Sequence, residues 1–132
     1  MSMRVVIADR DWRFVRQASA HLESHAHLVV TESDSQEVVT RASHWQADLV
    51  ILAAELAEEG ALDALEQLSP APAVLLTEHM DRYDRAWRAW QRGGDELLMK
   101  PVFRAEDLHQ AIVTAMENAA TGTRVRPAAA SA

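Results

Sequence analysis

The chain has 132 residues, with 13 basic side chains against 20 acidic ones, a formal net charge of −7 and no cysteine. That length fits one domain, and the missing cysteines exclude a disulfide framework, a thiolate zinc site and a thiol nucleophile. The acidic balance disfavours a nucleic-acid surface, and no apolar run approaches the roughly 20 residues of a membrane span, so a cytoplasmic protein with neither nucleic-acid nor membrane partner is expected.

Arg4 to Asp9, Arg-Val-Val-Ile-Ala-Asp, is a short β-branched run that ends on an acid and reads as a buried first strand. Asp11 is placed to cap a helix in which Phe14, Ala18 and Leu22 recur every four residues. A second strand is expected over Leu28 to Thr31 and a polar helix over Ser35 to Ser43. Asp48 to Leu52 lacks alternation and so reads as a central strand buried on both faces. A third helix is predicted from Gly60 to Leu68, stopped by Ser69-Pro70-Ala71-Pro72, and a fourth strand over Ala73 to Thr77. A fourth helix follows over Asp81 to Arg92, ended by Gly93-Gly94, then a fifth strand over Leu97 to Met99 and a last helix from Arg104 to Asn118. The domain is therefore expected to span residues 1–118, with 119–132 as a disordered tail or linker.

Five strand-helix units with continuous apolar strands predict a parallel sheet covered on both faces, with ligands and chemistry at the carboxyl ends of the strands. The residues at those ends are Ala8 to Asp11, Ala53 to Glu55, Thr77 and Glu78, and Lys100 with Pro101. Lys100 is the only lysine, since the other 12 basic residues are arginine. The charge is uneven: between Glu32 and Glu66 nine acids accompany one base, a net −8, so one flank holds the whole excess.

Together and in order, Val-Val-Ile-Ala-Asp, Asp-Leu-Val-Ile-Leu, Ala-Val-Leu-Leu-Thr and Gly-Gly-Asp-Glu-Leu-Leu-Met-Lys-Pro make the chain similar to response-regulator receiver domains over Arg4 to Asn118. The resemblance implies a flavodoxin-like (βα)5 three-layer sandwich with strand order 2-1-3-4-5; a chemotaxis receiver is a standard example of that order. It further implies a phospho-accepting aspartate after strand three, two magnesium-binding acids after strand one, a hydroxyl residue and a lysine for the phosphoryl group, and a reporting aromatic on strand five. Asp9, Thr77, Lys100 and Pro101 match. The acceptor position is Ala53, the second acid position is Arg10 and the aromatic position is Leu97.

An alanine methyl cannot attack phosphorus, and a cation in place of a carboxylate removes a hard oxygen ligand, so no cofactor is expected and magnesium least of all. The chain thus reads as a degenerate receiver, or pseudo-receiver. It is expected to be a non-enzymatic bacterial signalling domain that contacts a protein partner or a second copy through the helix 4, strand 5, helix 5 face. The alternatives are phosphorylation at an unorthodox acid (Asp9, Asp11 or Glu55) and a small ligand at the strand ends.

Smaller features carry two readings each. Lys100 with Asp9 is either a structural ion pair or an inherited, exposed lysine. Arg10 and Glu55 either bridge the pocket or are two solvated loop charges. Trp87 and Trp90, with Tyr83, either cover strands four and five or form a binding surface rimmed by Arg85, Arg88 and Arg92. His21, His25 and His27 have a spacing that suits a metal, but no acid or cysteine completes the set, and they read as surface histidines.

Overall fold

The central strands owe their position to side chains that are apolar on both faces. In the computed structural model, which describes residues 2–122, β1 (Arg4–Ala8), β3 (Leu49–Ala53) and β4 (Ala73–His79) are almost wholly buried. The edge strands β2 (Leu28–Glu32) and β5 (Glu96–Lys100) are partly exposed. All five pair in parallel, in the order β2-β1-β3-β4-β5. This is the flavodoxin-like arrangement implied by the sequence.

Successive strand residues point to opposite faces, so one sheet serves two cores. Val5, Ile7, Leu49, Ile51 and Leu75 meet α1 (Trp12–Ser24) and α5 (Ala105–Thr121) through Phe14, Ala18, Leu22, Leu108 and Ile112. Val6, Val50, Leu52, Val74 and Leu76 meet α2 (Ser35–Trp45), a helical run α3 (residues 54–66) and α4 (Tyr83–Arg92). Asp11 caps α1 by accepting from the backbone N–H groups of Arg13 and Phe14, and Asp34 caps α2 in the same way.

The third helix departs from expectation. It begins directly after β3 as Ala54–Leu56, passes through a π-helical turn at Ala57–Ala61 and continues as Leu62–Glu66. Ala, Glu and Leu are strong helix formers, and Leu56, Ala57, Ala61, Leu62 and Leu65 bury one face. Gly60, expected as the helix start, instead lies inside the run at φ 110°, where it absorbs the kink. Glu55 is therefore helical and not on a loop.

Other differences are at element ends. β4 continues to His79, a 3-10 turn at Met80–Arg82 precedes α4, and β1 stops at Ala8. α5 runs to Thr121, so residues 119–121 of the expected tail are helical; residues 123–132 lie outside the described residues.

Gly94 delivers the chain into β5 at φ +85°, and a Cβ there would sit 2.8 Å from Leu76 Cδ1 and 3.0 Å from its Cγ. Left-handed strain of about 1–2 kcal/mol for a residue with a Cβ adds to overpacking of a buried leucine. Gly94→Ala is therefore expected to lower unfolding free energy by about 2–3 kcal/mol in a denaturant titration. An unchanged midpoint would mean that the turn accommodates the methyl group by rearranging.

Candidate functional site at the strand ends

The carboxyl ends of β1, β3, β4 and β5 bring Asp9, Ala53, Thr77 and Lys100 to one edge, because parallel strands all finish on the same side of the sheet. Asp9 stays in register through its own N–H, which donates to the Glu32 carbonyl at 3.2 Å. Its carboxylate is buried and fully engaged. Oδ2 accepts from Lys100 Nζ at 2.7 Å and from Thr77 Oγ1 at 3.2 Å, and Oδ1 accepts from the Asp11 N–H at 2.9 Å.

Lys100 is only 3% exposed. Its ammonium lies 5.0 Å from the centre of the Phe14 ring and 3.6 Å from Asp11 Oδ2, a cation–π contact and a second, weaker charge partner. Pro101 follows it at the surface.

Asp11 serves three neighbours at once. One oxygen caps α1, and the other faces Lys100 and, at 3.0 Å, His79 Nε2. Burial pushes the Asp11 carboxyl up, but the Phe14 N–H, the charges of Lys100 and His79 and the Arg13 N–H outweigh it and hold the group below its ordinary value. Its contribution to stability is therefore complete above the unfolded pKa and disappears as pH falls through the lower, folded value.

Ala53 pairs with Thr77 in register and presents only a methyl group at 4% exposure. Arg10 forks onto Glu59, with Nη1 at 3.1 Å from Oε2 and Nη2 at 3.3 Å from Oε1, while Nε donates to the Ser33 carbonyl at 3.0 Å. The Glu59 hydrogen bond is the main reason its pKa is raised above the ordinary arginine value. Glu55 is a secondary partner, 3.8 Å from Arg10 Nη1. The guanidinium thus ties the β1–α1 and β2–α2 connections to α3, mainly through a residue that sequence reasoning passed over.

The arginines of α4 face the acidic flank. Arg85 donates from Nε to Glu78 and lies 4.0 Å from Glu55. Arg88 pairs with Glu58 at 3.0 Å and Asp84 at 3.3 Å, and Arg92 with Asp63 at 2.6 Å. Glu78 is buried at 3% exposure, and its second oxygen accepts the His79 N–H at 2.8 Å. Trp90 lies in the core; Trp87 is half-buried and stacks on exposed Tyr83 with ring centres 6.1 Å apart. Leu97 is half-buried on β5 and packs against the core beneath α4.

Glu59 and His79 belong to this constellation and escaped the sequence reading, which places Glu78 at the end of the fourth strand but assigns it no partner. Glu59 was masked by starting the helix at Gly60; a helix from Ala54 puts Glu55 and Glu59 on one face. What could have been read for Glu78 is the partner: an acid directly after the buried run Ala73 to Thr77 demands a cation once buried, and Arg85 supplies it.

No protein-family model and no curated protein matches the sequence. Solved structures do. NtrX from Brucella abortus in complex with ADP superposes with a TM-score of 0.80 at 20% identity, covering 92% of this chain and 28% of that one. A response-regulator receiver domain from Clostridium thermocellum superposes with a TM-score of 0.71 at 23% identity, covering 92% and 99% of the two chains. The fold is that of a receiver domain. The chain accordingly spans just over a quarter of NtrX and nearly the whole of the isolated receiver. A third match, from a family of streptococcal redox sensors evolved from two-component response regulators, gives a TM-score of 0.74 at 18% identity over 96% of this chain and 57% of the other. Thiol redox chemistry of any kind is closed to the present chain, which has no cysteine.

Proposed function

We propose that the chain is a pseudo-receiver: a non-catalytic module of two-component-type signalling that works by contact with a protein partner or a second copy, without phosphorylation at the end of β3. One observation carries the reading. Ala53 offers no nucleophile where β3 ends, and the carboxylate nearest in kind, Asp9, is locked by Lys100, Thr77 and the Asp11 N–H in a single closed arrangement. Magnesium does not fit this donor set. It prefers octahedral oxygen ligands, whereas both Asp9 oxygens already accept hydrogen bonds, Asp11 is taken up by the α1 cap and His79, and Arg10 adds a positive charge.

The contact surface in this reading is the α4–β5–α5 face, where Tyr83 and Trp87 stack at the surface and Arg88 and Arg92 stand at the rim. Nucleic acid is an unfavourable partner for a chain of net charge −7, and no helix among the described residues is long and apolar enough to cross a membrane.

The test is incubation of the full chain with a small phosphodonor and magnesium, followed by intact-mass measurement. No covalent adduct is the expected result. An acid-stable, hydroxylamine-labile adduct on Asp9, Asp11 or Glu55 would replace this reading with a phosphorylated receiver of unorthodox chemistry.

A further inference from the structure

The side chains of α1 and α5 that face outward, over the core formed by Leu22, Leu108 and Ile112, include three histidines that converge. His21, in the last turn of α1, and His25, its C-cap, are one turn apart, with ring centres at 4.5 Å. His109, on α5, lies 5.8 Å from each ring. One ligand nitrogen from each of the three lies within 4.8 Å of the other two. His27, the third member of the sequence cluster, is directed elsewhere: its Nδ1 accepts the Met3 N–H at 3.0 Å. The group is therefore a set of three, but with a different third member.

We propose that His21, His25 and His109 form a binding site for a divalent transition metal of borderline softness, such as Zn2+, that staples α1 to α5. Three imidazoles without a carboxylate suit zinc, nickel, cobalt or copper(II) and exclude magnesium and calcium, which require oxygen ligands. A tetrahedral zinc with bonds of about 2.0–2.1 Å places its nitrogens roughly 3.4 Å apart. His25 and His109 are both exposed, so closing that gap falls to reorientation of their rings on binding. The fourth position falls to water.

Two local features prepare the site. His25 Nδ1 lies 2.9 Å from the His21 carbonyl oxygen and 3.1 Å from Ser24 Oγ, and the tautomer that donates from Nδ1 to that carbonyl leaves the Nε2 lone pair for a metal. The histidines of α1 also occupy its last turn and C-cap, where the helix dipole favours a cation. None of the three belongs to the strand-end site, so this inference stands whether or not Ala53 marks a pseudo-receiver.

The experiment is calorimetric titration of the tag-free full chain with Zn2+, repeated with Co2+ to read tetrahedral coordination from its visible absorption. One ion per chain is expected, with a rise in Tm of about 10 °C at a hundredfold excess over Kd. His25→Gln and His109→Gln are each expected to weaken binding by more than the roughly 10–100-fold that loss of an outer partner costs. His27→Gln and His44→Gln should leave it unchanged. Absence of saturable binding overturns the proposal, as does a His109→Gln protein that binds Zn2+ as tightly as the unaltered chain. Uptake of one ion per two chains overturns the intrachain staple.

Discussion

Lys100→Met is expected to destabilise the chain by about 3–5 kcal/mol, the cost of leaving a buried charge without its partner. The ammonium it removes sits 2.7 Å from Asp9, with both side chains almost fully shielded from water. Asp9 would keep the Thr77 hydroxyl and the Asp11 N–H, two neutral donors that cannot balance a full negative charge at that depth. Asp9→Ala should cost somewhat less, because Lys100 retains Asp11 at 3.6 Å and the Phe14 ring. The decisive quantity is the double variant. Replacing both partners removes both uncompensated charges, so its loss should fall short of the sum of the singles by about 2–3 kcal/mol. Denaturant unfolding of the four proteins measures this, and additive losses would mean that the pair is not coupled. Lys100→Arg should not rescue the site, since a wider, planar guanidinium does not fit a position built around a compact ammonium.

The pair also explains why a chain that otherwise relies on arginine has one lysine. Among the described residues its other cations are exposed apart from half-buried Arg85, and a fork that binds carboxylates in two places is an advantage there, as for Arg10 on Glu59. At the end of β5 the ammonium is buried between the Asp9 carboxylate and the Phe14 ring.

How much of this was legible beforehand follows from what kind of information each feature needs. Val5 to Ala8 and Leu49 to Leu52 declare themselves as central strands because burial on both faces erases alternation, which is a property of each segment alone. The order of the strands is not such a property and came from resemblance. Gly60 misled because glycine usually ends or begins a helix, whereas here the buried face from Leu56 to Leu65 carries the helix through it. Contacts between distant segments left the weakest trace. His109 is 84 residues beyond His25, and nothing in local spacing connects them; only the packing of α5 beside α1 does.

The net charge shows the same limit. Nine acids between Glu32 and Glu66 look like an unneutralised flank, yet Glu55, Glu58, Glu59 and Asp63 each face an arginine from outside that stretch. The excess is partly answered within the fold, and this narrows what the arginines of α4 have left to offer a partner.

Arg85 separates the two roles most sharply. Its side chain is 20% exposed and holds a Glu78 carboxylate that is 4% exposed, so Arg85→Ala leaves a buried acid with the His79 N–H alone at close range. A loss of about 2–4 kcal/mol is expected, slightly below that of a fully buried pair because one partner reaches solvent. Glu78→Gln in the same protein should recover much of it by removing the orphaned charge. Arg88 and Arg92 are more than half exposed, and truncating either should change stability by no more than about 1 kcal/mol. If α4 docks a partner, Arg88→Ala and Arg92→Ala should weaken association while the unfolding midpoint stays in place, and Arg85→Ala should disturb both. A loss of association from Arg85→Ala that vanishes when Glu78→Gln restores the fold would assign Arg85 to the architecture of the face and leave recognition to its neighbours.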